Sequence, residues 1–206
     1  MWGYNRYTKQ TVNIGSAFLQ NEWKNEKWSI LLGGRLDKHN LINHVIFSPR
    51  ANLRFNPSED INLRLSYSSG FRAPQAFDED LHIENVGGTV SMIERAKNLK
   101  EEKSQSFSAS ADMYHRFGAF QVNFLVEGFY TRLSDVFVLE NIGERDGILI
   151  KERRNGSGAK VLGLSMEGKM AYLSLFQLQA GVTLQQSRYC LLYTSDAADE
   201  ARRVDL

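Results

Sequence analysis

The sequence predicts an all-β fold, a partial antiparallel transmembrane β-barrel sector of about eight meandering strands arranged as four hairpins. Apolar and polar residues alternate with period two over runs of roughly ten to thirteen residues, which marks strands with two unlike faces. Short turns and long polar connections also alternate along the chain. That order places every short turn on one edge of the sheet and every long loop on the other. Finally, one strand face carries the charges, while aromatic side chains collect at the short-turn ends of the other.

In the first hairpin Gly15, Ala17 and Leu19 share a face against Phe18, Gln20 and Glu22. After the turn Lys24-Asn25-Glu26-Lys27, Trp28, Ile30, Leu32 and Leu36 oppose Ser29, Arg35 and Asp37. The second hairpin is the clearest. Ala51, Leu53 and Phe55 alternate with Arg50, Asn52 and Arg54, and the turn Asn56-Pro57-Ser58-Glu59-Asp60 leads to Ile61, Leu63, Leu65 and Tyr67 against Asn62, Arg64, Ser66 and Ser68. In the third, Phe107, Ala109, Ala111 and Met113 oppose Ser106, Ser108, Ser110 and Asp112. Past Arg116-Phe117-Gly118-Ala119, Phe120, Val122, Phe124, Val126 and Tyr130 oppose Gln121, Asn123, Glu127 and Thr131. The fourth sets Leu162, Leu164, Met166 and Met170 against Ser165, Glu167 and Lys169. It returns with Phe176, Leu178, Ala180, Val182 and Leu184 against Gln177, Gln179, Thr183 and Gln185. Residues 38–45, 73–104 and 133–159 are the expected long loops.

Composition bounds the function classes. Hydrophobic residues make up 42% of the 206, and the mean hydropathy of −0.38 excludes a helical membrane protein. It does not exclude a membrane barrel, whose strands alternate lipid-facing and lumen-facing side chains. Lys plus Arg number 25 against 24 Asp plus Glu, so no electrostatic footprint for nucleic acid stands out. The only cysteine is Cys190, which excludes a disulfide framework or a cysteine-based zinc site within one chain. Met1 to Arg6 lack the apolar core of a signal peptide, so an exported protein would carry its leader upstream.

A soluble β-sandwich or lipocalin would show the same alternation. Three details favour the membrane barrel. The strands are long enough to cross a bilayer at a tilt, which takes about nine to eleven residues. Trp28, Phe55, Phe120, Tyr172 and Phe176 gather near the short turns, as an interfacial girdle requires. Arg50, Arg54, Arg64, Glu127, Glu167 and Lys169 load the opposite face, which suits a wet or plugged lumen better than the outside of a small sandwich.

Ser69-Gly70-Phe71-Arg72-Ala73-Pro74 resembles the Gly-Phe-Arg-Ala-Pro element of TonB-dependent outer-membrane receptors, where a strand runs into a long extracellular loop. It continues into Gln75-Ala76-Phe77-Asp78-Glu79-Asp80-Leu81-His82 and follows Ser48-Pro49-Arg50-Ala51-Asn52-Leu53 in the family's order. Gly34-Arg35-Leu36-Asp37 and Gly128-Phe129-Tyr130-Thr131-Arg132 are similar to two further recurrent segments, so the resemblance covers about residues 12–189. The family is described as a barrel of twenty-two strands with an N-terminal plug. Eight strands of such a wall form a sector, because strand number, tilt and shear are linked. Leu191 to Glu200 resemble the translation of a sequencing adapter. Residues 1–189 are therefore expected to belong to the receptor barrel and 190–206 to a non-native tail.

The resemblance implies a bacterial outer-membrane protein that binds a scarce solute (a ferric siderophore, cobalamin, haem or a glycan) and imports it with energy relayed by the TonB complex. Its implied partners are outer-membrane lipid, the plug domain, TonB and the small-molecule or glycan ligand. The alternatives are a porin-like or adhesin-like barrel without TonB coupling, or a soluble β-rich binding domain. No nucleophile, base and orienting acid come together in the sequence. His39, His44, His82 and His115 are scattered, so neither catalysis nor a cofactor is expected.

The candidate ligand-loop residues are Phe71, Arg72, Asp78, Glu79, Asp80 and His82. The acidic cluster with His82 and Glu84 matches no defined calcium-loop spacing and reads as a solvated loop. Phe71 and Arg72 fit either ligand or plug contact, or anchorage of the rim before Pro74. The candidate lumen or plug-contact residues are Arg50, Arg54, Arg64, Glu127 and Glu167. Gly143 to Gly147, followed by Lys151, Glu152, Arg153 and Arg154, fit a polar β-hairpin extension above the membrane, or a ligand rim or lipopolysaccharide contact.

Overall fold

A computed structural model describes residues 2–3, 6–7, 11–74, 91–145, 147–173 and 175–189. The elements are β1 (Trp2–Gly3), β2 (Arg6–Tyr7), β3 (Ile14–Lys24), β4 (Trp28–His39), β5 (Val45–Ser58), β6 (Ile61–Arg72), β7 (Ser91–Arg95), β8 (Glu102–Phe117), β9 (Phe120–Ser134), β10 (Phe137–Arg145), β11 (Ile148–Asn155), β12 (Ala159–Tyr172) and β13 (Phe176–Tyr189). Eight of them make one antiparallel sheet in the order β13-β12-β9-β8-β6-β5-β4-β3, a meander of the four expected hairpins. The wall strands run from 11 residues in β3 to 16 in β8, enough to cross a bilayer.

Local chemistry closes the short turns. The Asn25 side chain accepts hydrogen bonds from the Lys27 and Trp28 amides at 3.0 and 2.7 Å, which fixes the first turn. Gly118 supplies the positive φ of +58° that the tight link between β8 and β9 needs. Between β5 and β6 the register shifts between Phe55 and Ser58. Pro57, which has no amide to donate, falls inside that irregularity.

Register turns the sequence alternation into two continuous faces. One row runs Trp28, Phe55, Leu63, Ala111, Val126, Met166 and Val182 across seven strands. The girdle aromatics meet where expected. Trp28 stacks on Phe55 at 4.0 Å between ring centroids, and Tyr172 lies 4.7 Å from Phe120 and 5.9 Å from Phe176.

Burial is inverted relative to a soluble sandwich. Leu65 is 55% exposed, Phe107 50% and Leu184 61%, while Ser104, Ser106, Ser108 and Ser110 on the opposite face of β8 are half-buried. Small polar residues less accessible than large apolar neighbours place the polar face on the inside of the curve. The buried hydrophobics number only Ile42, Ile46, Ala73, Ile150 and Ala159 among the described residues, so this sheet has no core on its apolar side.

The described parts of the long connections carry more regular structure than their composition suggests. The connection expected over residues 38–45 shrinks, because β4 continues to His39 and β5 begins at Val45. Within residues 133–159, β10 and β11 form an antiparallel hairpin with a register shift between Asn141 and Gly143. β7, from the preceding long connection, adds in parallel to β11. This three-stranded sheet pairs segments more than fifty residues apart, which local alternation cannot encode.

Candidate lumen wall and loop rim

The five candidate lumen residues all fall on the polar face. Arg54 is paired with Arg64, Arg64 with Ser110, Ser110 with Glu127, and Glu127 with Ser165. Arg50, four residues from Arg54 along β5, sits opposite Gly33 and Ser68, and Glu167 sits opposite Leu125 and Gly181. Hydroxyl pairs floor the same face: Ser106 with Thr131 and Ser165 with Thr183, each at 3.0 Å. Glu167 is neutralised by Lys169 at 2.6 Å. Arg50 and Arg54 make no ion pair among the described residues, and Arg64 makes only a long hydrogen bond of 3.5 Å to Asn62. Two guanidinium-bearing side chains directly opposite on neighbouring strands repel, so this patch favours an anionic partner on the concave side.

The rim is a connected set of struts. Arg72, at the end of β6, meets Glu102 at 3.5 Å and lies 5.6 Å from the Phe137 ring, and the same ring carries buried Arg153 at 5.9 Å. Glu102 also accepts the Phe137 amide at 3.1 Å, joining β8 to the start of β10. Phe71 packs on the small cluster of Ile42, Ile46 and Ala73. Asn155 clips the two long connections together. Its side-chain oxygen accepts from the Lys100 amide at 2.8 Å, and its nitrogen donates to the carbonyls of Lys100 at 3.0 Å and Asp135 at 2.7 Å. Sequence reading missed Glu102, Phe137 and Asn155. A polar residue flanked by a glycine gives no sign that its partner lies 55 residues away.

Glu101 was missed as well. It is buried and meets both His44 and Lys103 at 3.0 Å, tying the short β4–β5 connection to the base of β8. Burial pushes its carboxyl up. The hydrogen bond from its own backbone, the hydrogen bond and charge of Lys103 and the charge of His44 outweigh that, so the net shift is downward. A depressed carboxyl contributes stability above its unfolded pKa of about 4.3 and loses it as pH falls through the lower folded value. Glu101→Gln should weaken this strut at neutral pH by about 1 kcal/mol, the partners being half exposed. Hydrogen exchange of the amides at 40–46, corrected for intrinsic rates, should then be about fivefold faster than in the parent at pH 7. The two should converge below the folded pKa, and equal protection at pH 7 would remove the strut's role.

Asp78, Glu79, Asp80 and His82 lie outside the described residues. Gly143 to Arg145 and Ile148 to Arg154 lie in the polar hairpin of β10 and β11.

An antiparallel wall with an exposed apolar belt, a concave polar face, short turns on one edge and structured loops on the other defines an outer-membrane-type β-barrel. The chain belongs to the TonB dependent receptor-like, beta-barrel family, whose family model matches residues 2–205. Solved structures share the fold. The siderophore receptor PirA from Pseudomonas aeruginosa superposes with a TM-score of 0.70 at 16% identity, over 85% of this chain and 34% of that one. A variant of the FrpB iron transporter from Neisseria meningitidis gives 0.61 at 16% identity, over 86% and 26%. A mutant of the ferric enterobactin receptor PfeA from P. aeruginosa gives 0.63 at 17%, over 84% and 26%. The chain therefore spans between a quarter and about a third of these receptors. No curated protein matches the sequence.

Proposed function

We propose that this chain is wall and loop rim of a bacterial outer-membrane receptor that imports a scarce solute by TonB coupling, and that the solute is a ferric siderophore. The observation that carries the reading is the combination of family membership with a built rim: Arg72, Glu102, Phe137 and Asn155 hold two long loops in fixed relation at the wall's loop edge. The similar solved proteins are named as a siderophore receptor, an iron transporter and a ferric enterobactin receptor, which favours iron over cobalamin, haem or glycan. Arg50, Arg54 and Arg64, which make no ion pair among the described residues, would face carboxylates of a plug domain, and Phe71 and Arg72 at the end of β6, with Asp78, Glu79, Asp80 and His82 beyond it, would contribute to capture. The wall's role is to hold and orient, with no covalent step. Residues 190–206 take no part in this reading.

The test is accumulation of labelled ferric siderophore by cells that express the receptor carrying this wall. Uptake above that of cells without it, abolished when TonB is deleted, is the expected result. Uptake that persists without TonB makes the barrel porin-like. Uptake of cobalamin, haem or glycan but not of iron chelates overturns the solute assignment.

A further inference from the structure

Lys160 of β12 sits directly between Arg132 of β9 and Arg188 of β13 in the register. They lie at the loop end of the wall, and alternation puts them on the apolar face with Tyr130, Leu162 and Leu164, not on the lumen face. All three are exposed, and none makes a hydrogen bond or ion pair among the described residues. Neighbouring strands are about 4.8 Å apart, so three cations stand side by side where like charges in register are destabilising. Lys103, near the same edge, is already matched by Glu101. A row of uncompensated cations on the face of a wall that otherwise presents apolar side chains calls for an anion held at an apolar boundary.

The surface just below supplies the rest. An open apolar groove of about 890 Å³ lies there, rimmed by Tyr67, Phe107, Tyr130 and Leu162 and floored by Ala109 and Gly128. The floor has room, since a Cβ added at Gly128 would meet nothing within 4 Å. Phe107 and Tyr130 are paired in register, and Tyr130 pairs in turn with Leu162, so the groove begins one step along the strands from the cationic row.

We propose that Arg132, Lys160 and Arg188, with this groove, form a binding site for a phosphorylated lipid of the outer leaflet. Its headgroup phosphates lie across the three cations and an acyl chain lies along the groove. Arg132 and Arg188 are suited to bidentate contact with phosphate oxygens, and Lys160 supplies a point charge between them. Basic clusters at the membrane boundary recognise anionic headgroups in this way, while an acyl chain alone would gain nothing from the cations. The site rests on the outer-membrane reading of the proposed function but not on transport.

The experiment is native mass spectrometry of the chain in detergent micelles, with β-sheet content checked by circular dichroism. It is titrated with bisphosphorylated lipid A, dephosphorylated lipid A and inorganic phosphate. Bisphosphorylated lipid A should bind at least tenfold tighter than its dephosphorylated form. The R132Q/K160Q/R188Q variant should lose that preference, and K24Q/K27Q, which removes cations at the short-turn end, should keep it. Equal binding by the triple variant and the parent overturns the site. So does displacement of the lipid by equimolar inorganic phosphate, or an equal loss in K24Q/K27Q. Solute uptake does not enter this readout, so the transport reading and the lipid site can fail separately.

Discussion

Leu65→Arg should reduce the folded, membrane-inserted population by between about thirtyfold and a thousandfold. Leu65 is in register with Leu53 and Ala109 on the apolar face, 55% exposed, and near the middle of β6. A cationic side chain on the lipid face of a barrel costs about 2–4 kcal/mol at the bilayer midplane. The adjacent Ser66 points to the polar face opposite Asn52 and Ser108, so Ser66→Arg should cost well under 1 kcal/mol. Refolding into lipid vesicles across a urea series, followed by the heat-dependent gel mobility of folded barrels, separates the two variants. Equal and small effects at both positions would sink the membrane assignment of this face. The reverse order would mean that the two faces had been exchanged.

Gly158→Val should be the most damaging change at the loop edge. Gly158 has φ of +126°, and a Cβ there would lie 2.5 Å from the Leu133 carbonyl oxygen, a backbone atom that cannot swing aside. The next residue, Ala159, opens β12 opposite Leu133, so relief of the clash must prise β12 from β9 at its first pair. Backbone strain of this kind costs on the order of 1–3 kcal/mol before the clash is counted, so a total of about 3 kcal/mol or more is expected. Gly168→Ala is the matched control, because nothing lies within 4 Å of a Cβ at that glycine. Denaturation midpoints in micelles should fall for Gly158→Val and hold or rise slightly for Gly168→Ala. A Gly158 variant as stable as the parent would show that the loop edge accommodates the change by moving as a unit.

The wall was legible because a strand's two faces are written into adjacent residues. Ala51, Leu53 and Phe55 against Arg50, Asn52 and Arg54 fix which way each side chain points, and a slip of one residue would reverse it. The pairing within each of the four hairpins followed from the short turns, since a tight turn leaves its two strands no other neighbour. The girdle was readable for the same reason: Trp28, Phe55, Phe120, Tyr172 and Phe176 sit at fixed offsets from turns visible in the sequence.

The rim was not. Arg72 was singled out by its motif, but its contact with Glu102 depends on the register of β6 against β8, and its contact with the Phe137 ring on where β10 begins. Glu101, Asn155 and the parallel addition of β7 to β11 join segments far apart in sequence, with no periodicity to announce them. Likewise, Arg132, Lys160 and Arg188 are unremarkable one at a time and became a row only when the register of β9, β12 and β13 lined them up.

By itself, the sequence determined that this chain makes an antiparallel wall with a lipid-type face and a polar face, and on which edge its turns and loops fall. These properties follow from neighbours one, two and a few residues apart. Only the tertiary structure decided which charges stand together and which loops are tied, because pairing between strands is a long-range choice, made by hydrogen-bond ladders and by the packing of groups that no local pattern brings within reach.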